Sequence, residues 1–203
     1  MHPVLETSAL PDFAFWPVAP QQAYQHMSLS GTLSADQIGT IMAILADCNS
    51  NHAVSQPADP AEAFLSSLLH DEGFLAPGGL LVQDTETGTT LLPGCCCGLE
   101  DWRDWLEVAD GGETWLGHDP APWPEQLGGT VRLHLDGERP GPVIEVTPLE
   151  LRRLLASVQR DLIDFLYLVT VWAQQHTPAS VQTLVDAVDR SLKITESLGT
   201  ATG

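Results

Sequence analysis

Three thiols stand in a row between two glycines, in Pro93-Gly94-Cys95-Cys96-Cys97-Gly98. The run follows a strand-like segment and precedes a helical one. Backbone N–H groups at a helix start have no helical partner and favour negative charge, which would stabilise a thiolate. The chemistry implied is a reactive or metal-binding thiol. Glu100, Asp101 and Asp104 follow closely and act the other way, because like charge disfavours the thiolate. The competing reading is a tight turn of small side chains, since a free Cys packs like a small apolar residue.

Two constellations can be drawn around these thiols. In one, Cys48 and His52 share a helix face at i, i+4, and Cys95 and Cys97 complete four ligands for zinc. Neither half is the Cys-x-x-Cys knuckle, and Asn49-Ser50-Asn51 reads as a helix that has already ended. In the other, the His118-Asp119 pair of Trp115-Leu116-Gly117-His118-Asp119-Pro120 performs acid–base work for Cys95, Cys96 or Cys97 as nucleophile. Against that stands a strand end entering a turn with Pro120, Pro122 and Pro124, where Asp119 makes a local hydrogen bond. The preferred reading assigns no catalytic residue, no metal ligand and no cofactor. The alternative is a Cys/His-centred enzyme or a zinc protein.

A third constellation is aromatic and acidic. Trp102, Trp105, Trp115 and Trp123 fall within 22 residues, and Trp102 and Trp105 share a helix face. Glu100, Asp101 and Asp104 lie among them. Exposed tryptophan ringed by carboxylates anchors a basic protein partner, whereas most tryptophans serve the core. These seven residues are the expected partner-binding set.

Charge supports that direction. The 203 residues carry 27 acidic and 8 basic side chains, a formal net of -19. No Lys or Arg precedes Arg103, and ten carboxylates against one Arg lie between Asp84 and Glu125. Nucleic-acid phosphates and anionic membrane surfaces call for clustered Lys and Arg, so neither is an expected partner. Acidity also keeps a protein soluble, whatever it binds.

The elements that must position these residues follow from periodicity and caps. Residues 1–30 read as an irregular arm, 31–198 as one α+β domain and 199–203 as a disordered tail. Ser34-Ala35-Asp36-Gln37 and Asp59-Pro60-Ala61-Glu62 open two N-terminal helices, the second stopping near Gly73. Strands are expected at 79–83 and 89–92, flanking a five-residue turn, and at 113–117, 130–135 and 143–146, giving a mostly antiparallel sheet of about five strands. A short helix spans 99–109. Thr147-Pro148-Leu149-Glu150 opens the first of two C-terminal helices. From Leu162 onward it is apolar on nearly all sides, so it should be buried, and the pair offers a homodimer contact.

Three crowded cysteines and one distant one suit a reducing compartment. The N-terminus lacks the basic and long apolar regions of a secretory leader. The most apolar stretch, Phe165 to Ala173, is nine residues against the about 20 that a bilayer span needs. A cytoplasmic protein is expected.

Over residues 79–170, the runs Gly79 to Gly88, Leu92 to Trp105 and Trp115 to Pro120 resemble a group of uncharacterised acidic actinobacterial proteins. In acidic surface, α+β order and the Trp115–Asp119 strand end, the chain is also similar to SUKH-type immunity proteins, which neutralise bacterial toxins. The Cys triplet departs from that family. The resemblance implies a non-enzymatic, immunity- or accessory-like module that binds a basic protein.

Overall fold

A computed structural model describes residues 1–50, 59–69, 73–137, 139 and 141–199. The chain is α+β, with two antiparallel sheets rather than one. In chain order the elements are β1 (His2–Glu6), β2 (His26–Ser28), α1 (Ala35–Cys48), α2 (Pro60–Leu65), β3 (Gly78–Gln83), β4 (Thr90–Leu91), α3 (Trp105–Ala109), β5 (Trp123–Leu127), β6 (Thr130–His134), β7 (Val143–Val146), α4 (Pro148–His176) and α5 (Val181–Leu192). Two 3₁₀ helices, Ser66–Leu68 and Leu99–Asp104, extend α2 and lead into α3.

The first sheet runs β2-β1-β3-β4. Its inner strand β1 lies in the segment read as an irregular arm, which corrects that reading. Val4 and Leu5 are fully buried, and β1 pairs with both β2 and β3. Pro3 hides the strand from sequence reasoning, because proline lacks a ladder donor and argues against an inner strand. Here its carbonyl accepts from Leu29 N–H at 2.8 Å. Phe13, Phe15 and Trp16 pack on Phe64 and on one another. Trp16 also meets Trp172 edge-on and donates to the Gly39 carbonyl at 2.8 Å.

The second sheet is the meander β5-β6-β7. Its inward side chains Val131, Leu133, Ile144 and Val146 are buried. On the other face Arg132 bridges Glu125 and Glu145, and His134 meets Glu125 at 3.0 Å. β5 occupies the stretch read as a proline-rich turn. Conversely, 113–117 is not a strand: its only ladder-like contact comes at its end, through Leu116 and His118. An edge strand tolerates Pro124, so β5 forms where β6 supplies its partner.

Helix starts are built by their side chains. Ser34 and Gln37 close a capping box on α1, and Thr147 and Glu150 close another on α4. Asp59 accepts from Ala61 and Glu62 N–H groups, but α2 ends at Leu65, well before Gly73. At the end of α1, the buried Asn49 amide donates to the Leu45 and Leu75 carbonyls and accepts from Leu75 N–H. That clamp fixes Cys48 beside the segment entering β3.

α4 buries Leu151, Leu155, Val158, Leu162, Phe165, Val169 and Trp172. It is not buried all round as its composition implies. Ile163, Tyr167 and Val171, four residues apart, stay exposed because the core meets one face only. Among the described residues, no helix is long and apolar enough to cross a membrane.

The 99–109 region is a 3₁₀ helix followed by one short α-helical stretch, tied down from below. Trp102 is 1 % exposed and donates to the Leu192 carbonyl at 2.8 Å. Arg103 donates to the carbonyls of Lys193, Glu196 and Ser197. Trp102→Ala is expected to cost about 3–5 kcal/mol in urea unfolding. Trp102→Phe, which keeps most of the packing but loses the hydrogen bond, should cost about 1–2 kcal/mol. Equal stabilities for the two variants would contradict this account.

Candidate functional site

Two chain segments cross at the thiols. Gly94 N–H donates to the Leu116 carbonyl at 3.1 Å, Cys95 N–H to the His118 carbonyl at 2.6 Å, and His118 N–H back to the Cys95 carbonyl at 3.1 Å. The backbones nearly touch. A Cβ on Gly94 would lie 2.6 Å from the Gly117 carbonyl carbon, and one on Gly117 at the same distance from that of Gly94. Gly117 also sits at φ +96°. Only glycine at both positions permits this approach.

The crossing sorts the three thiols. Cys96 adopts φ +64°, so consecutive side chains do not simply alternate. Cys95 and Cys96 place their Sγ atoms 3.5 Å apart, whereas the Cys97 thiol lies 3.5 Å from the Trp115 carbonyl. The Sγ atoms of Cys95 and Cys96 and a ring nitrogen of His118 all lie within 4.8 Å of one another. His118 Nδ1 is 3.0 Å from the Cys95 carbonyl oxygen. A carbonyl only accepts, so Nδ1 carries the proton and Nε2 the free lone pair.

A cavity of about 300 Å³ opens beside the loop. All four cysteines of the chain line it, together with Glu6 and Glu100. Cys48, Cys95 and Cys97 thus share one space, while His52 lies outside the described residues. Among the described residues, the ligand atoms gathered within 4.8 Å of one another are those of Cys95, Cys96 and His118. Glu6 was not legible because its strand, β1, was not, and nothing local tied the 75–78 segment that enters β3 to the thiols.

Three of the four thiols are raised above their ordinary range. Burial, then Asp101, Asp104 and Glu100, push Cys97 up to about 11. Burial, with Glu100 and Asp47, raises Cys48. The hydrogen bond and charge of Cys96 raise Cys95. No α-helix starts at the loop; the 3₁₀ turn there spends its first N–H, that of Leu99, on the Ala76 carbonyl. His118 Nδ1 turns to the Cys95 backbone carbonyl. Asp119 sits at φ +47° before a cis bond to Pro120.

On the other side of Cys97 lies a small cleft of about 20 Å³, lined among others by Asp101, Asp104, Trp105 and Trp115. Trp115 is 60 % exposed and Trp123 41 %, the latter stacked on His134 with ring centroids 4.1 Å apart. Trp102 and Trp105 are buried, which removes them as exposed anchors; Trp105 serves as cleft wall. Glu100 also leaves the set. It turns into the thiol cavity and accepts from Ala76 N–H at 2.8 Å. Burial raises its carboxyl, as it raises that of Asp104, where Asp101 and Glu107 add repulsion against a lowering by Lys193.

Comparison with protein-family models, curated proteins and solved structures found no match.

Two outcomes are expected. At pH 7.5 Cys97 should react with iodoacetamide at least ~10-fold more slowly than an unfolded thiol, read by peptide mass spectrometry. Asp101→Asn/Asp104→Asn should accelerate it; an unchanged rate would remove the carboxylates as its cause. Glu100 is raised when folded, so it binds a proton more readily than in the unfolded chain between its ordinary range and that raised value. Stability is lost as pH rises through that window. Glu100→Gln should then be more stable than the parent at pH 7, with the gap closing below the ordinary carboxylate range in denaturant titrations.

Proposed function

We propose that this protein is a non-enzymatic binding module for a basic protein partner, in the manner of an immunity or accessory protein. The observation carrying this reading is that Asp101, Asp104 and exposed Trp115 line one cleft. The cleft interior of about 20 Å³ holds little more than a water, so a lysine or arginine head group would sit at its mouth, where the indole supplies cation–π attraction and the carboxylates charge-assisted hydrogen bonds. Among the described residues no ion pair engages either carboxylate. The repulsion from Asp101 and Glu107 that helps raise Asp104 is what an arriving cation offsets. The net charge of -19 steers such a partner from a distance.

An arginine-rich peptide titrated against tryptophan fluorescence tests the reading. Binding should weaken with ionic strength as screening shortens the reach of charge. Asp101→Lys/Asp104→Lys and Trp115→Ala should each reduce affinity by about 10-fold or more. Affinity and salt dependence unchanged in the charge-reversal variant would sink the proposal.

A further inference from the structure

We propose that Cys95, Cys96 and His118 bind one thiophilic metal ion of the zinc type, with its fourth position open to the cavity shared with Cys48. This site is separate from the acidic cleft and does not depend on a basic partner.

Three features point to a metal. First, the donors are already gathered: two sulfurs and one imidazole nitrogen within 4.8 Å, with the sulfurs 3.5 Å apart. Zinc–sulfur bonds of about 2.3 Å in a tetrahedron require a sulfur–sulfur edge of about 3.8 Å. The thiols need to part by only a few tenths of an ångström. Second, the frame is rigid where it matters. Cys95 and His118 are bound by reciprocal backbone hydrogen bonds, and the adjoining Gly94–Gly117 contact admits no side chain between the strands. Third, the imidazole is oriented as metal-bound histidines are. Its Nδ1–H donates to the Cys95 carbonyl, so a metal bond would be made through Nε2.

The electrostatics agree. Glu6 and Glu100 line the same cavity, and Cys48 and Cys97 face it. Carboxylates that make a bare thiolate costly make a cation favourable. Two thiolates and a neutral imidazole suit a soft or borderline ion; magnesium and calcium take oxygen ligands instead. Binding one divalent ion releases two protons, one from each thiol, into solvent, and leaves a neutral metal–dithiolate unit.

Chelator-treated, fully reduced protein titrated anaerobically with Co2+ tests this. One equivalent should give thiolate charge-transfer absorption in the near ultraviolet and the visible bands of tetrahedral cobalt, and Zn2+ should displace it. Cys95→Ser and Cys96→Ser should each abolish the charge-transfer signal or weaken binding by about 100-fold, and His118→Gln by about 10-fold or more. Cys48→Ser and Cys97→Ser should leave the signal near parental strength. Apart from the half-buried Cys97, the substituted side chains are exposed, and circular dichroism checks that each variant stays folded. Absence of stoichiometric cobalt would overturn the proposal. So would a signal that survives Cys95→Ser and Cys96→Ser but is lost in Cys48→Ser and Cys97→Ser. Arginine-peptide binding measured on the same variants separates this result from the fate of the cleft.

Discussion

Two backbones touch at Gly94 and Gly117, and the placing of the thiols against His118 and Trp115 depends on that contact. It sets Cys95 opposite His118 and carries the Cys97 thiol to the Trp115 carbonyl. Any other residue at either glycine would push the segments apart. The thiols would then lose the imidazole, and the exposed indole would lose the wall behind it. The crossing is held from outside as well. Leu99 N–H is bound to the Ala76 carbonyl, and Glu100 to Ala76 N–H, so the loop's far end is pinned to the strand leading from α1's clamp.

The acidity that dominates the composition divides into two kinds. Some carboxylates are structural. Glu125 and Glu145 hold Arg132, Asp110 meets Arg152, Glu150 and Asp59 cap helices, and Asp189 fixes Thr195. Glu100 belongs with them, since its bond to Ala76 orders the cavity wall. Asp101 and Asp104 are different. They share the cleft, and Asp104 is raised by burial and by its acidic neighbours. Such local repulsion costs stability in the isolated chain. Both carboxylates share that cleft with the exposed Trp115.

Legibility in the sequence followed locality. The capping boxes at Ser34 and Thr147 depend on four consecutive residues and were readable. So was the alternation of Val131 and Leu133 in β6. β1 was not, because an inner strand with Pro3 is recognised only through partners 20 and more residues away. The same limit applied to the site. The residue types were visible, but which of them meet depended on the Gly94–Gly117 crossing, between segments with no pattern in common. Trp102 and Trp105 were correctly placed on one helical turn, yet helical spacing says which residues share a face, not whether that face meets solvent. Trp102 faces α5, where Leu192 takes its N–H.

Pro93, Cys97 and Gly98 line both the thiol cavity and the acidic cleft, so the two share a wall. Cys97 has the most strongly raised thiol because it is half-buried in that wall with Asp101, Asp104 and Glu100 all acting on it. A thiol kept neutral there serves packing better than chemistry: a charged one would add to the repulsion at Asp104 and weaken the wall from within. The Cys95 and Cys96 thiols line the cavity and not the cleft of Asp101 and Asp104, and His118 lies beside them. One short loop therefore turns its consecutive side chains toward two separate spaces, and Cys96, at φ +64°, is where its backbone leaves extended geometry.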